Sequence, residues 1–329
     1  MLPDRIPERE RGAALLTVLL LVAVMAVMAA TMLDRLSLST RLAGNSSDMA
    51  QARSYAYAAE TLATARIEDL LARDAAQVTM QGDWLAREIP FPIDGGTAVA
   101  KLSDMDNCFN LNGLVTGSDG QFSSNSVALR QFVNLMNGLG IGGNDAAIIA
   151  ESAADWIDSD LNPLSSGAED AYYRGQDPAY LPANRLMADK SELRSVRGMT
   201  PEYYARLRPW ICVLPQAQPT TLNANTLLPD QAPLLAMMFD GKLSPAAAKA
   251  VLAKRPAAGY GSLNRFWADP QLAQLQPSST VQEQVKLTSQ WFLLESRIMT
   301  GDIELESRAL IGAEDGNVRV LSRMFGEAS

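Results

Sequence analysis

The sequence predicts an α+β protein in which an N-terminal membrane-spanning helix runs on into a long amphipathic helix, followed by an antiparallel α/β unit with a large helical region inserted. Three observations predict it. Residues 13–33 form one uncharged apolar run. Segments with the two-residue alternation of strands occur at Thr97–Leu102 and return after residue 284, as QWFLLESRIM, DIELESRALIG and NVRVLSRMF, with Gly301-Asp302 and Asp315-Gly316-Asn317 as turns. Between them, from about Val127 to Pro209, the pattern is helical, so helices stand inside a strand-bearing unit.

The apolar run AALLTVLLLVAVMAVMAATML is bounded by Arg11 and by Asp34-Arg35. Its 21 residues reach roughly 31 Å, the thickness of a bilayer's hydrocarbon core. A cleaved secretory signal has a shorter apolar stretch ending in a small-x-small site. Here Ala23, Ala26 and Ala29 recur three apart, a spacing that suits helix packing and leaves no A-x-A site. Downstream, Leu62, Ala65, Arg66, Asp69, Leu70 and Arg73 follow steps of three and four, giving a helix with apolar and charged faces. An interruption is expected near Gly44-Asn45.

Composition excludes several functions. With no histidine among 329 residues, the usual general base, the Ser-His and Cys-His nucleophile pairs and histidine-ligated zinc are absent. Two cysteines, Cys108 and Cys212, cannot make a four-thiolate zinc site and lack redox spacing; they are either free thiols or one disulfide. A net charge of −9 disfavours polyphosphate partners.

Two helix-turn-helix echoes follow. Gly198-Met199-Thr200-Pro201 and Gly241-Lys242-Leu243-Ser244-Pro245 each place a hydroxyl residue as N-cap and proline at the first helical position. The second lies in LNANTLLPDQAPLLAMMFDGKLSPAAAKAVLAKRP, which resembles helix-hairpin-helix modules that grip DNA phosphate through hairpin amides. Its cations are few (Lys242, Lys249, Lys254 and Arg255) and form no stripe.

The leader MLPDRIPERERG, ending in Arg11-Gly12 directly before the apolar run, resembles the type III signal of pilins and pseudopilins. Further carriers are CFNLNGL at Cys108–Leu114, DWIDSDLNPLSSGAEDAYY at Asp155–Tyr173, ELRSVRGMTPEYYARLRPWICVLP at Glu192–Pro215 and LNANT at Leu222–Thr226. On these residues the chain resembles the minor pseudopilins of type II secretion, protein K family, over nearly its whole length. The resemblance implies a pilin-like α/antiparallel-β domain with an inserted SAM-like or helix-hairpin-helix-like region. It also implies cleavage by prepilin peptidase between Gly12 and Ala13, an inner-membrane helix, and a C-terminal domain in the periplasm. The fifth mature residue, glutamate in most pseudopilins, is Thr17; protein K likewise lacks that glutamate, which fits a subunit at the fibre tip with no neighbour above whose amino terminus needs neutralising.

The expected divisions are a leader at 1–12, the membrane helix at 13–33, and the long helix and first strands at 34–110. A helical insertion with an acidic loop follows at 111–215, then a second helix-hairpin-helix-like unit at 216–284 and C-terminal strands at 285–329. Implied partners are pseudopilins I and J, then H, the major pseudopilin and secreted cargo, with no nucleic acid and no enzymatic activity. An oxidising periplasm and cysteines that bracket the insertion predict a Cys108–Cys212 disulfide.

The acidic block has a chemistry of its own. Counting Asp158 as position one puts Asp160 at three, Asn162 at five and Glu169 at twelve, the oxygen spacing of an EF-hand loop, with Pro163 where that loop needs glycine. Asp170 adds a carboxylate, and Asp155 stands one turn earlier. Hard oxygen donors without histidine or thiolate select calcium, while a solvated acidic loop reads equally from the residues alone. The resemblance to protein K implies Ca²⁺. Two other readings are an anchored competence-type DNA receptor using the hairpin near Ser244, and a carboxylate enzyme using Asp155, Asp158 and Glu169 as acid and base.

Overall fold

Residues 8–314 and 316–326 are described in a computed structural model; the leader before residue 8 and Asp315 of the expected turn lie outside them. The first element, α1 (Glu8–Arg73), is a single helix of 66 residues, roughly 100 Å long. It runs through Gly44-Asn45 without the expected interruption. Nothing stands within 4 Å of where a Gly44 Cβ would be, so this glycine sits on an open face. One exposed glycine costs a helix only about 1 kcal/mol, too little to break a run that is helical on both sides.

Every residue from Ala13 to Leu33 is exposed, whereas farther along Ala52, Ala56, Ala59, Ala63, Ile67 and Leu70 form a buried stripe at helical spacing. Small alanines let the helix lie close on a sheet. Leu62, by contrast, is 61% exposed, so the core-facing stripe lies to one side of the face read from the sequence. Arg66 and Arg73 flank Asp69 at 2.9 and 2.6 Å and form the charged side.

Two strands follow, β1 (Glu88–Phe91) and β2 (Gly96–Asp104). The chain then leaves the sheet through β3 (Phe109–Asn110), β4 (Val115–Ser118) and β5 (Gln121–Ser124) into helices α2 (Ser126–Gly138), α3 (Asn144–Asp155), α4 (Asp170–Arg174) and α5 (Pro201–Leu207). After β6 (Ile211–Cys212) and β7 (Leu222–Asn223) come α6 (Ala232–Ala236), α7 (Pro245–Ala253), α8 (Leu263–Trp267), α9 (Pro270–Ala273) and α10 (Ser279–Glu283). Then β8 (Val285–Lys286) leads back to β9 (Trp291–Thr300), β10 (Ile303–Glu314) and β11 (Asn317–Phe325). The main sheet has the order β1-β2-β9-β10-β11 and is antiparallel throughout. One face packs on α1 through Leu102, Phe292, Leu294, Ile298, Leu305, Ala309 and Ile311.

The helical region has its own core, with Phe109 stacked on Phe132 at 4.7 Å between centroids. Both helix starts behave as their sequences predict: Thr200 caps α5 through the Tyr203 amide, and Ser244 caps α7 through the Ala247 amide, each at 3.2 Å.

Buried asparagines tie distant segments together. Asn112 donates to the carbonyls of Met187 and Leu214 at 3.0 and 2.8 Å, and its oxygen accepts from the Met187 amide. Asn223 donates to the Val78 carbonyl, in the segment after α1, and to Ser289 Oγ, just before β9, while accepting from the Asn225 amide. Such buried side chains replace backbone partners that the short β3, β6, β7 and β8 ladders cannot supply. Beside them the Cys108–Cys212 disulfide is present, with Cα atoms 5.8 Å apart.

Candidate functional site

The acidic block forms the loop between α3 and α4. Alanine-rich α3 sinks into the helical core and carries Asp155, wholly buried, at its last turn. The Asp155 carboxylate accepts from the Leu164 amide, 3.2 Å from either oxygen, and from the Ala168 amide, so it ties the two ends of the loop together. Glu151, one turn earlier, accepts from the Ser166 amide. Gly167 is required where it stands: a Cβ there would lie 1.8 Å from Asp155 Oδ2.

Held in this way, the loop brings Asp158, Asp160 and Glu169 together, with one oxygen of each within 4.8 Å of the others. Asp158 and Glu169 are 3% and 4% exposed, and Asp158 Oδ1 and both Glu169 oxygens are buried without a hydrogen-bond partner. Burial pushes the Asp158 carboxyl up to about 7, helped by Asp160 and Asp155; burial, then Asp155 and Asp158, pushes Glu169 up to about 8. Buried acceptors without donors, crowded by like charge, match a hard cation with oxygen ligands.

The other expected ligands take different places. Asp170 opens α4 and pairs with Arg174 at 2.7 Å, one turn on, so it is not brought into the cluster. Asn162 is exposed, and its amide donates to Asp160 Oδ1 at 2.7 Å, closing a turn that aims Asp160. The holding residues, Asp155 through Gly167 and Glu151 through Ser166, were not identified as such in the sequence; a glycine twelve residues after a helix-terminal aspartate is the one local signal.

The hairpin near Ser244 has the expected turn, with Asp240 and Gly241 at positive φ. Three of its four cations are engaged internally: Lys249 pairs with Asp230 at 2.7 Å, Lys254 with Asp269 at 3.2 Å, and Arg255 donates to the Leu227 carbonyl. The DNA-receptor reading has no support here.

Two family models, each described as "Type II secretion system (T2SS), protein K", match residues 107–216 and 222–288. Type II secretion system protein K of Pectobacterium carotovorum subsp. carotovorum is 34% identical over 327 residues, covering 97% of both chains. The chain belongs to the type II secretion system protein K family. Protein K of Klebsiella pneumoniae is 33% identical over 323 residues, with 97% of each chain covered. A solved structure of the GspK-GspI-GspJ complex from the enterotoxigenic Escherichia coli system contains a chain that superposes with a TM-score of 0.75 at 30% identity. The match covers 86% of this chain and 99% of that one. This family member is thus a minor pseudopilin of type II secretion. Its N-terminal helix is long and apolar enough to cross a membrane.

Proposed function

We propose that this protein K is cut between Gly12 and Ala13, remains anchored in the inner membrane through residues 13–33, and joins pseudopilins I and J in the periplasm. There the complex begins and caps the fibre that drives folded cargo outward. One observation carries the reading: from Ala13 to Ser47 the 66-residue α1 is exposed, so no other described part of the chain covers this apolar helix. A lipid core and neighbouring helices are the environments in which such a face is stable. The solved relative, named as a complex with I and J, supports the partners. Thr17, whose hydroxyl bonds back to the Ala14 carbonyl at 2.8 Å, carries no charge for a subunit above.

Within this reading Asp158, Asp160 and Glu169 hold Ca²⁺, while Asn162 contributes the backbone amide that aims Asp160. The ion supplies charge neutralisation and loop order and takes part in no reaction. The role is structural, which is how the family's function reads as well.

Mass spectrometry of protein from native membranes tests the anchor: the expected amino terminus is Ala13. An intact Met1, or a terminus beyond Leu33, overturns the pseudopilin processing. Co-purification of I and J with the membrane-extracted chain tests the assembly, and its absence from cross-linked native membranes removes the proposed tip complex.

A further inference from the structure

Arg308 is a cation whose Nε has no hydrogen-bond acceptor among the described residues. It lies on β10 between Ser307 and Ala309, which are buried on the α1 side, so it belongs to the opposite face of the sheet. Its cross-strand neighbour Glu295 pairs instead with Lys101 at 3.2 Å. Among the described residues Arg308 makes no ion pair and no side-chain hydrogen bond, and its Nε is buried with no acceptor. A guanidinium has five donors in a planar fork, and a buried one left unpaired costs the full desolvation of that group.

The fork borders a pocket of about 90 Å³ where the sheet meets the helical region. Lys190 also lines it, its Nζ donating to the Arg208 carbonyl at 3.1 Å and making no ion pair among the described residues. Burial, and then the like charges of Arg308 and Arg208, push the Lys190 amine below its usual range. Asp189 is also on the wall: it caps the Ser191 amide at 2.9 Å and attracts Arg308 and Lys190, as Glu295 attracts Lys190, without forming an ion pair with either cation of the pocket among the described residues. Tyr204, in the field of Asp189, Arg208 and Arg308, also keeps a buried hydroxyl with no partner. Ile211, Leu293, Leu310 and Met324 are among the apolar residues that line the pocket. Three cations, Arg308, Lys190 and Arg208, thus meet two carboxylates, Asp189 and Glu295, over an apolar floor.

We propose that the pocket receives the carboxylate of an acidic side chain presented by a partner protein, gripped by the Arg308 fork and neutralised by Lys190. The volume suits one such group: a water occupies about 30 Å³ of liquid, so the space equals about three waters, or a carboxylate with its methylenes. Nε with one Nη matches a carboxylate bidentately. The apolar lining favours a side chain over a free inorganic anion, which would surrender hydration to Ile211 and Leu310 for nothing in return. Arg308 also lines a wider cleft of about 340 Å³, where Lys101 and Arg297 stand among Glu88, Glu295 and Glu306, with room for the flanking residues of an extended segment.

Saturation-transfer NMR on the detergent-extracted full chain, in chelator so that the acidic loop plays no part, tests this. The probes are N-acetyl-Leu-Glu-Leu-amide, its glutamine counterpart, sodium acetate and sodium phosphate. The glutamate peptide should bind and be displaced by excess acetate, and the glutamine peptide should not bind. Arg308→Gln and Lys190→Gln should each weaken the glutamate peptide about tenfold or more, and Arg308→Lys should restore little of it because the fork is lost. Should Arg308→Gln fail to fold, Lys190→Gln, altering a partly exposed amine, still decides the matter. Equal binding of the two peptides, or unchanged binding to Lys190→Gln, overturns the proposal. Binding of acetate or phosphate without the peptide also overturns it, leaving a site for small anions only.

Discussion

Replacing Glu169 by glutamine separates a cation site from a solvated acidic loop, because the two readings differ in sign. Without a cation, a carboxyl at about 8 in the folded protein and near 4.3 when unfolded opposes folding at pH 7 by roughly 4 kcal/mol. Glu169→Gln removes that cost, because the amide has no proton to take up on folding beside Asp155 and Asp158, so in chelator the variant should melt at or above wild type. With calcium at a hundred times its dissociation constant, wild type gains about 2.7 kcal/mol. In a chain of this size that raises the midpoint by about 5 °C. The variant, short of one of the three gathered carboxylates, should gain little and now melt below wild type. Differential scanning fluorimetry of the detergent-extracted chain, in chelator and in millimolar calcium, reads both orders. A wild type that melts identically in the two buffers refutes the cation site. A variant that tracks wild type in both shows that Glu169 takes no part in it.

Three further outcomes follow. Gly167→Ala should disorder the loop and abolish the calcium-dependent rise in melting temperature, since the added methyl meets Asp155 Oδ2 at 1.8 Å; an unchanged rise would show that the loop does not depend on this approach. Replacing both Cys108 and Cys212 by alanine should lower stability by up to about 4.7 kcal/mol, the chain-entropy figure for a loop near the 104-residue separation; equal denaturation midpoints for the variant and for unreduced wild type would contradict it. In chelator, stability should fall as pH rises from about 4 to about 8, because carboxyls lifted to about 6, 7 and 8 at Asp155, Asp158 and Glu169 make the folded chain hold more protons than the unfolded one across that window. Calcium should flatten this decline and bind more tightly toward the alkaline end, which calorimetry at pH 6 and pH 8 would measure.

Where one residue governs its own neighbourhood, the sequence was legible. The apolar run, the Thr200 and Ser244 caps and the three final strands all follow from period, hydroxyl and proline. Cys108 and Cys212 paired because a compartment argument joined two residues that spacing alone left open. Gly44 misled, since a glycine inside a helix looks the same whether its open face is a break or merely solvent. In the acidic loop, carboxylate spacing located Asp158, Asp160 and Glu169 but could not foresee that Asp170 would begin α4 and turn to Arg174. The work of Asp155 and Gly167 depends on a contact that only the closed loop creates. Arg308 was invisible for a related reason: an arginine in an alternating strand reads as solvated until its cross-strand neighbour is seen to be engaged with Lys101.

Strands β2 and β9 are adjacent and antiparallel, with Asp104 opposite Phe292, although all the helices after α1 lie between them in sequence. The chain therefore departs and returns at points as near as the two sides of a hairpin, which a two-residue turn could join. For the sheet, hosting the helical region is equivalent to having a very long loop: no strand is added, displaced or reversed. The sheet-and-helix unit is thus topologically complete on its own, and the region it carries can be enlarged, trimmed or exchanged without redrawing it. The constraint sits at the mouth of the loop, where Asp104 accepts hydrogen bonds from Thr226 and Ser289, each at 2.5 Å, and Asp106 accepts from the Gln290 and Trp291 amides. Any graft must bring those donors with it or replace both aspartates.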